Sequence, residues 1–170
     1  HLDIDVVLHD PPGAGCRWSR EAAPGDPVGL LGPGGGEVGE AERYLLLGDE
    51  TALPAIARTL EEMPANATGQ AIIEVDGPAD EQALVHPPSM TLRWLHRNGT
   101  APGYSTLLLQ AARELALPQG EGYVWVAAES ATAKAVREIM VAQHGIDKSR
   151  IRAASYWKRG AIAVHESHDD

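Results

Sequence analysis

The feature that most constrains this chain is a change of pattern near residue 43. From there to residue 156, short unbroken apolar runs alternate with segments whose apolar residues recur every three or four positions. Tyr44-Leu45-Leu46-Leu47 is apolar throughout and stops at Gly48. A half-exposed strand would alternate with period two, so this run predicts a strand covered on both faces. Leu53, Ile56, Ala57, Leu60 and Met63 then share one helical face until Pro64 ends it. Strands are expected again at Gln70–Val75, Met90–Leu95, Tyr123–Ala127 and Ile151–Tyr156. Between them, Tyr104, Leu107, Leu108, Ala111, Ala112 and Leu115 form one amphipathic face, and Thr132, Ala135, Val136, Ile139 and Met140 form another. Strand and helix in alternation predict an α/β fold: a doubly wound, five-stranded parallel sheet.

Residues 1–40 follow other rules. Leu2, Ile4, Val6 and Leu8 alternate with polar or small neighbours, which predicts a half-exposed antiparallel strand. A short helix is expected from Cys16 to Ala22, a turn at Pro24-Gly25-Asp26 and a second strand at Val28–Leu31, before the breaker Gly32-Pro33-Gly34-Gly35-Gly36. Two strands cannot bury a core alone. Residues 1–40 are therefore expected to be the tail of a β-domain, with residues 41–170 forming the α/β domain. The opening His1 in place of an initiator Met points the same way, to a fragment.

Charge and cysteine usage remove several function classes. The formal charge is −10, from 14 basic and 24 acidic residues, so the field of the whole chain repels nucleic acid and anionic membrane. No apolar run approaches the roughly 18–20 residues of a membrane span. The N-terminus has neither a basic nor an apolar region of a signal peptide. Cys16 is alone, which excludes an internal disulfide and fits a reducing compartment. His9, His86, His96, His144, His165 and His168 show no metal-ligand spacing, so no metal site is expected.

Three segments carry candidate chemistry. Gly48-Asp49-Glu50-Thr51-Ala52-Leu53-Pro54 joins the first strand to its helix, where an open α/β sheet places ligands. The helix N-terminus would suit a pyrophosphate, with Gly48 allowing close approach and Thr51 touching phosphate or capping the helix. Asp49 and Glu50 are expected to point outward. On spacing alone an ordinary βα turn with a Thr cap is the better reading of these residues, since they are not G-x-G-x-x-G. Ser155-Tyr156-Trp157-Lys158-Arg159-Gly160 places two aromatics before two cations, and five of the 14 basic residues fall between Lys148 and Arg159. A stacking surface with a local anion site is one reading, and a solvated edge strand is the other. Arg97 follows the third strand, either as a plain loop residue or facing a nucleotide ribose or its 2′-phosphate. Glu74 and Asp76 end the second strand and favour a free ribose hydroxyl instead.

In combination these segments resemble the siderophore-interacting protein family, the FAD-dependent ferric-siderophore reductases of the ferredoxin–NADP reductase superfamily. The resemblance rests on Val7-Leu8-His9, Gly13-x-x-Cys16-x-Trp18, Pro24-Gly25-Asp26, Gly48 through Ile56, Leu95-His96-Arg97, Tyr123 through Glu129 and Ser155 through Gly160. Their order and spacing cover nearly the whole chain. The resemblance implies an FAD-binding β-barrel ahead of an NAD(P)H-binding α/β domain of a cytoplasmic enzyme. Hydride would pass from NADPH or NADH to FAD, and single electrons to iron(III) in a siderophore, releasing the metal. By the same resemblance, Gly48, Asp49, Glu50, Thr51, Ala52 and Pro54 would receive the nicotinamide nucleotide, with Ala128 and Glu129 beside it. Arg97 would lie on the adenosine side, which favours NADPH. Tyr156 and Trp157 would approach the flavin, while Lys158 and Arg159 would attract an anionic ferric siderophore. Cys16 stands where the family usually has a Ser near the FAD pyrophosphate, and a thiol is a weaker donor. The family's main flavin motif, Arg-x-Tyr-Thr or Ser, is not among these residues and is expected upstream in a missing flavin domain. The piece alone is therefore expected to be inactive. The alternatives are a flavin reductase with another acceptor, or a non-catalytic module binding a nucleotide or siderophore.

Overall fold

A computed structural model describes residues 4, 6, 8–30, 39–117, 122–161 and 166–167. They fall into two compact units, His1–Glu37 and Val38–Asp170.

In the first unit, α1 spans Ala14–Glu21. It starts two residues earlier than its apolar pattern suggests, because extended Gly13 already acts as its N-cap, and extended Ala22 closes it. The turn at Pro24-Gly25-Asp26 forms as expected, with Gly25 at φ 101° and the Asp26 carboxylate accepting from the Ala23 N–H. Val28, Gly29 and Leu30 form no strand, which corrects the expectation for that segment. Of the strand expected from Leu2 to Leu8, only Ile4, Val6 and Leu8 lie within the described residues, and Leu31 and the Gly-rich breaker lie outside them.

In the second unit the expected alternation holds. The elements are β1 (Arg43–Asp49), α2 (Leu53–Glu62), β2 (Thr68–Val75), β3 (Met90–His96), α3 (Leu107–Glu114), β4 (Gly122–Glu129), α4 (Ser130–Ala142) and β5 (Ile151–Trp157). The five strands are parallel, and a two-residue strand, β6 (Glu166–Ser167), adds an antiparallel edge. Spatial order is β3-β2-β1-β4-β5-β6, so the chain reverses its direction of growth between β1 and β4. Successive side chains of β1 point to opposite faces. Leu45 and Leu47 pack with Ile72, Val126, α3 and α4, while Tyr44 and Leu46 pack with Ile73, Trp125 and α2. That two-sided burial is why the strands read as continuous apolar runs. No helix among the described residues is long and apolar enough to cross a membrane.

One helix boundary departs from expectation. Tyr104 has the spacing of a core position on α3 but lies outside it, 64% exposed. Gly103 at φ 75° breaks the backbone first, and the Tyr104 N–H closes a turn on the Ala101 carbonyl. The helix begins only at Leu107.

The β1–α2 junction depends on Gly48. A Cβ there would stand 2.5 Å from Ala52 Cβ and 2.9 Å from the Ala127 carbonyl oxygen. Both neighbours are fixed, one in the turn and one in β4, so neither can yield cheaply. Gly48→Ala is expected to destabilise the chain by about 1–3 kcal/mol through overpacking. An unchanged urea midpoint would show that the junction relaxes freely.

Candidate functional site

In a doubly wound sheet the crevice opens at the carboxyl ends of the strands where strand order reverses. Here that point lies between β1 and β4. Asp49 occupies it, 6% exposed, and both its oxygens are engaged. Oδ1 accepts from the Thr51 N–H (3.0 Å) and the Thr51 hydroxyl; Oδ2 accepts from the Glu129 N–H (3.1 Å) and the Trp157 indole N–H (2.8 Å). One carboxylate thus joins the ends of β1, β4 and β5. Burial pushes its carboxyl above the ordinary value, while hydrogen bonds from Thr51 and Trp157 pull it back.

Glu129 repeats the device one strand over. It is 4% exposed; Oε2 accepts from the N–H groups of Ala131 (2.8 Å) and Thr132 (3.2 Å), capping α4, and Oε1 accepts from the Arg159 N–H (3.2 Å). Orphan amides at a helix N-terminus normally seek an anion. In this crevice the chain's own carboxylates take the amides of Thr51, Ala131 and Thr132. The expectation that Asp49 and Glu50 point outward is therefore corrected. Asp49 turns inward, and Glu50 forms a bidentate pair with Arg97.

That pair ties β3 to the first turn. Arg97 Nη1 donates to Glu50 Oε2 (2.6 Å), Nη2 to Oε1 (2.9 Å) and Nε to the Thr100 carbonyl (3.2 Å), with the residue only 7% exposed. Thr51 serves as a cap partner of Asp49, Ala52 is fully buried in the turn, and Pro54 stands exposed in the first turn of α2. Ala128 lies fully buried in the core and offers a ligand only backbone. Cys16 is buried in α1 of the other unit.

The aromatic pair at the end of β5 splits across the strand. Tyr156 meets Trp125 edge-on, with centroids 6.1 Å apart and planes at 85°, whereas Trp157 turns toward Asp49 and Gly103. Lys158 and Arg159 follow, both exposed. Arg159 Nη1 donates to the Gly103 carbonyl (2.8 Å), and its guanidinium lies 4.2 Å over the Tyr104 ring centroid. Gly103 and Tyr104 were not expected here. The only available signal was Pro102-Gly103, which breaks a helix before Tyr104 can join it. Ser105 is likewise new: its hydroxyl donates to Glu74 Oε2 at 2.8 Å.

The crevice therefore carries the carboxyl groups of Asp49, Glu50, Glu74 and Glu129, with Arg97 already paired, while further cations stand at the end of β5. Such a site suits hydroxyl groups and a flat cationic ring better than a bare phosphate. Among the described residues no group of three His, Cys, Asp or Glu side chains is placed to hold a metal ion. A cavity of about 720 Å³ opens instead near the amino ends of the sheet, beside Arg43, Gln70 and His144. It lies away from these groups, and the switch-point geometry makes the carboxyl ends the better candidate.

Comparison with known proteins follows the same division. The model of the siderophore-interacting protein family matches residues 41–160, and that of the siderophore-interacting FAD-binding domain matches residues 1–37. Ferric vibriobactin reductase ViuB of Vibrio cholerae is 36% identical over 97% of this chain and 62% of its own length. The NADPH-dependent ferric-chelate reductase of Escherichia coli is 29% identical over 92% of this chain and 60% of its own. The crystal structure of a siderophore utilization protein from T. fusca superposes with a TM-score of 0.85 at 42% identity, over 96% of this chain and 62% of that one. The chain thus spans about 60–62% of the length of these relatives.

Glu74 supplies a pH test of this geometry. The residue is 5% exposed, and burial pushes its carboxyl above the ordinary range, opposed by the Ser105 hydroxyl and by Arg97. A group raised in the folded state contributes stability that is complete below its unfolded pKa and is lost as pH rises through the folded one. Glu74→Gln keeps an acceptor for Ser105 without the charge. Its Tm relative to the parent is expected to improve from pH 4 to pH 7. A mutant Tm that falls relative to the parent over that range would mean that the fold favours the ionised form.

Proposed function

Since the chain belongs to the siderophore-interacting protein family, we propose that it forms the nucleotide-binding part of an NAD(P)H:ferric-siderophore oxidoreductase that works through FAD and releases iron inside the cell. The observation that carries this reading is the meeting of Asp49, Glu129 and Trp157 at the sheet's switch point, with Lys158 and Arg159 leaving from that place. The match of residues 1–37 to a FAD-binding domain supports the flavin, and the name of the E. coli relative supports NADPH.

The residues present fit a nicotinamide coenzyme on its hydroxyl-bearing side. Glu74 near the end of β2 and Asp76 just after it stand where carboxylates accept from ribose hydroxyls. They fit the pyrophosphate less well at the β1 turn, because Asp49 already takes the Thr51 amide. Lys158 and Arg159, which follow β5, are the cations proposed to meet the anionic ferric siderophore. Arg97 is kept on the adenosine side, and a 2′-phosphate has to share it with Glu50. Bound flavin supplies the exchange between a two-electron donor and one-electron iron. Trp157, held by Asp49, would border the flavin and help exclude water there.

Purified chain without flavin is expected to give little or no iron(III) reduction from NAD(P)H and a ferric siderophore. Steady turnover in the absence of any flavin would overturn the assignment of FAD as carrier.

In a protein carrying a flavin domain ahead of this chain, Lys158→Ala with Arg159→Ala is expected to raise KM for an anionic ferric siderophore. The effect should shrink with added salt, because screening weakens the parent's advantage. Flavin reduction by NAD(P)H should change much less. Equal loss of both half-reactions would place the two cations in the nucleotide site or the fold instead.

A further inference from the structure

We propose that the cavity at the amino ends of the sheet is a second small-molecule site, which takes an organic monoanion with an apolar body and seats its acidic group against Arg43. The site lies within the α/β unit, at the opposite end of the sheet from the crevice assigned to the nucleotide, and does not depend on that assignment.

Residues two apart on a strand share a face. On the face that meets α3 and α4, the middle of the sheet is apolar, with Leu47, Ile72 and Val126 fully buried. Toward the amino end Leu45 and Val124 still pack there, but the same face continues as Arg43, Gln70 and Gly122. Leu115 and Leu117, which follow α3, and Ile146, which follows α4, wall the space beside them. A Cβ on Gly122 would meet nothing closer than 3.7 Å, and one on Gly145 nothing within 4 Å. Packed interiors leave few voids larger than a water molecule. At about 720 Å³ this cavity has the size of a ligand pocket instead, and its make-up of apolar walls with a few converging polar groups is the same.

The polar groups select the ligand. Arg43 and Gln70 are half-buried, and among the described residues their side chains have no hydrogen bond or ion pair. The other polar groups that line the cavity are engaged. The Ser149 hydroxyl and N–H, and then Arg150, hold the Asp147 carboxyl below its ordinary range, so the charges of Asp147 and Arg150 offset each other. His144 Nε2 donates to the Ala112 carbonyl (2.8 Å) and Gln143 Nε2 to that of Arg113 (2.8 Å). The N–H groups of Gly145 and Ile146 donate to the carbonyls of Val141 and Met140. Carbonyls at the ends of α3 and α4, which would otherwise repel an anion, are thereby occupied. Arg43 keeps its charge at any pH the fold meets, and no carboxylate on the page offsets it. One guanidinium matches one carboxylate or sulfonate, while a polyphosphate would bring charge that nothing here balances. The apolar walls supply the place for the rest of the molecule.

Fluorescence titration of the chain with anilinonaphthalene sulfonate, and with phenylnaphthylamine, the same ring system without the sulfonate, tests the site. Arg43→Met should weaken the sulfonate about tenfold, the worth of one charge-assisted hydrogen bond, and leave the uncharged dye within about twofold. Gly122→Leu should weaken both dyes by about tenfold, because it fills space that both need. Equal binding of the sulfonate by the parent and Arg43→Met would overturn the proposal. Equal loss of both dyes in Arg43→Met would overturn it as well, since Arg43 would then shape the cavity without reading charge. Unchanged binding by Gly122→Leu would place the dyes elsewhere and refute the site, and so would a parent chain that binds neither. Should either variant fail to fold, amide resonances of the parent decide. Those of Gly122, Gly145 and Ile146 should shift with the sulfonate, at about tenfold lower concentration than with the uncharged dye. No shift, or shifts at equal concentrations, would refute the proposal. None of these outcomes bears on the nucleotide crevice.

Discussion

The carboxylate of Asp49 is the constraint on which the carboxyl end of this fold depends. Each oxygen accepts from a backbone N–H, one at Thr51 and one at Glu129, and each accepts from a side chain as well. An amide in its place would have to aim N–H groups at a fixed backbone donor whichever way it turned. Only a carboxylate satisfies both sides. The cost of burying it is offset by these hydrogen bonds, and in return the ends of β1, β4 and β5 hold one geometry.

A second consequence concerns where negative ligands can go. Helix N-termini at a switch point are ready-made anion sites. In this chain Asp49 and Glu129 fill them, and Glu50 neutralises Arg97. The exposed cations at this end of the sheet stand after β5, where Arg159 is braced by Gly103, Tyr104 and Glu129. Removing Glu50 would leave a buried guanidinium without its counter-charge, so the pair is costly to break even where its net contribution is small. The crevice is thereby divided into an acidic side that suits hydroxyls and a cationic, aromatic side.

Much of the framework was legible in order. Leu45, Leu46 and Leu47 in succession marked a strand buried on both faces, and Leu53, Ile56 and Leu60 marked the helix above it, because burial is written into local periodicity. Sequence resemblance pointed to segments that the fold gathers at the carboxyl end of the sheet: Gly48 to Pro54, Arg97, Glu129 and Tyr156 to Arg159. It did not supply their partners. Asp49 meets Glu129 and Trp157 across 80 and 108 residues of chain, and no local pattern encodes such a contact.

The sequence by itself determined the parallel α/β architecture and the family, since these follow from periodicity, glycine and proline placement, and specific motifs. Tertiary structure alone decided which way the charges face. Asp49 turned inward because three strand ends converge on donors that need an acceptor. Tyr104 left its helix because Gly103 has to fit against Trp157. Tyr156 and Trp157 parted because neighbours on a strand point to opposite faces, and only the assembled sheet determines what lies on each.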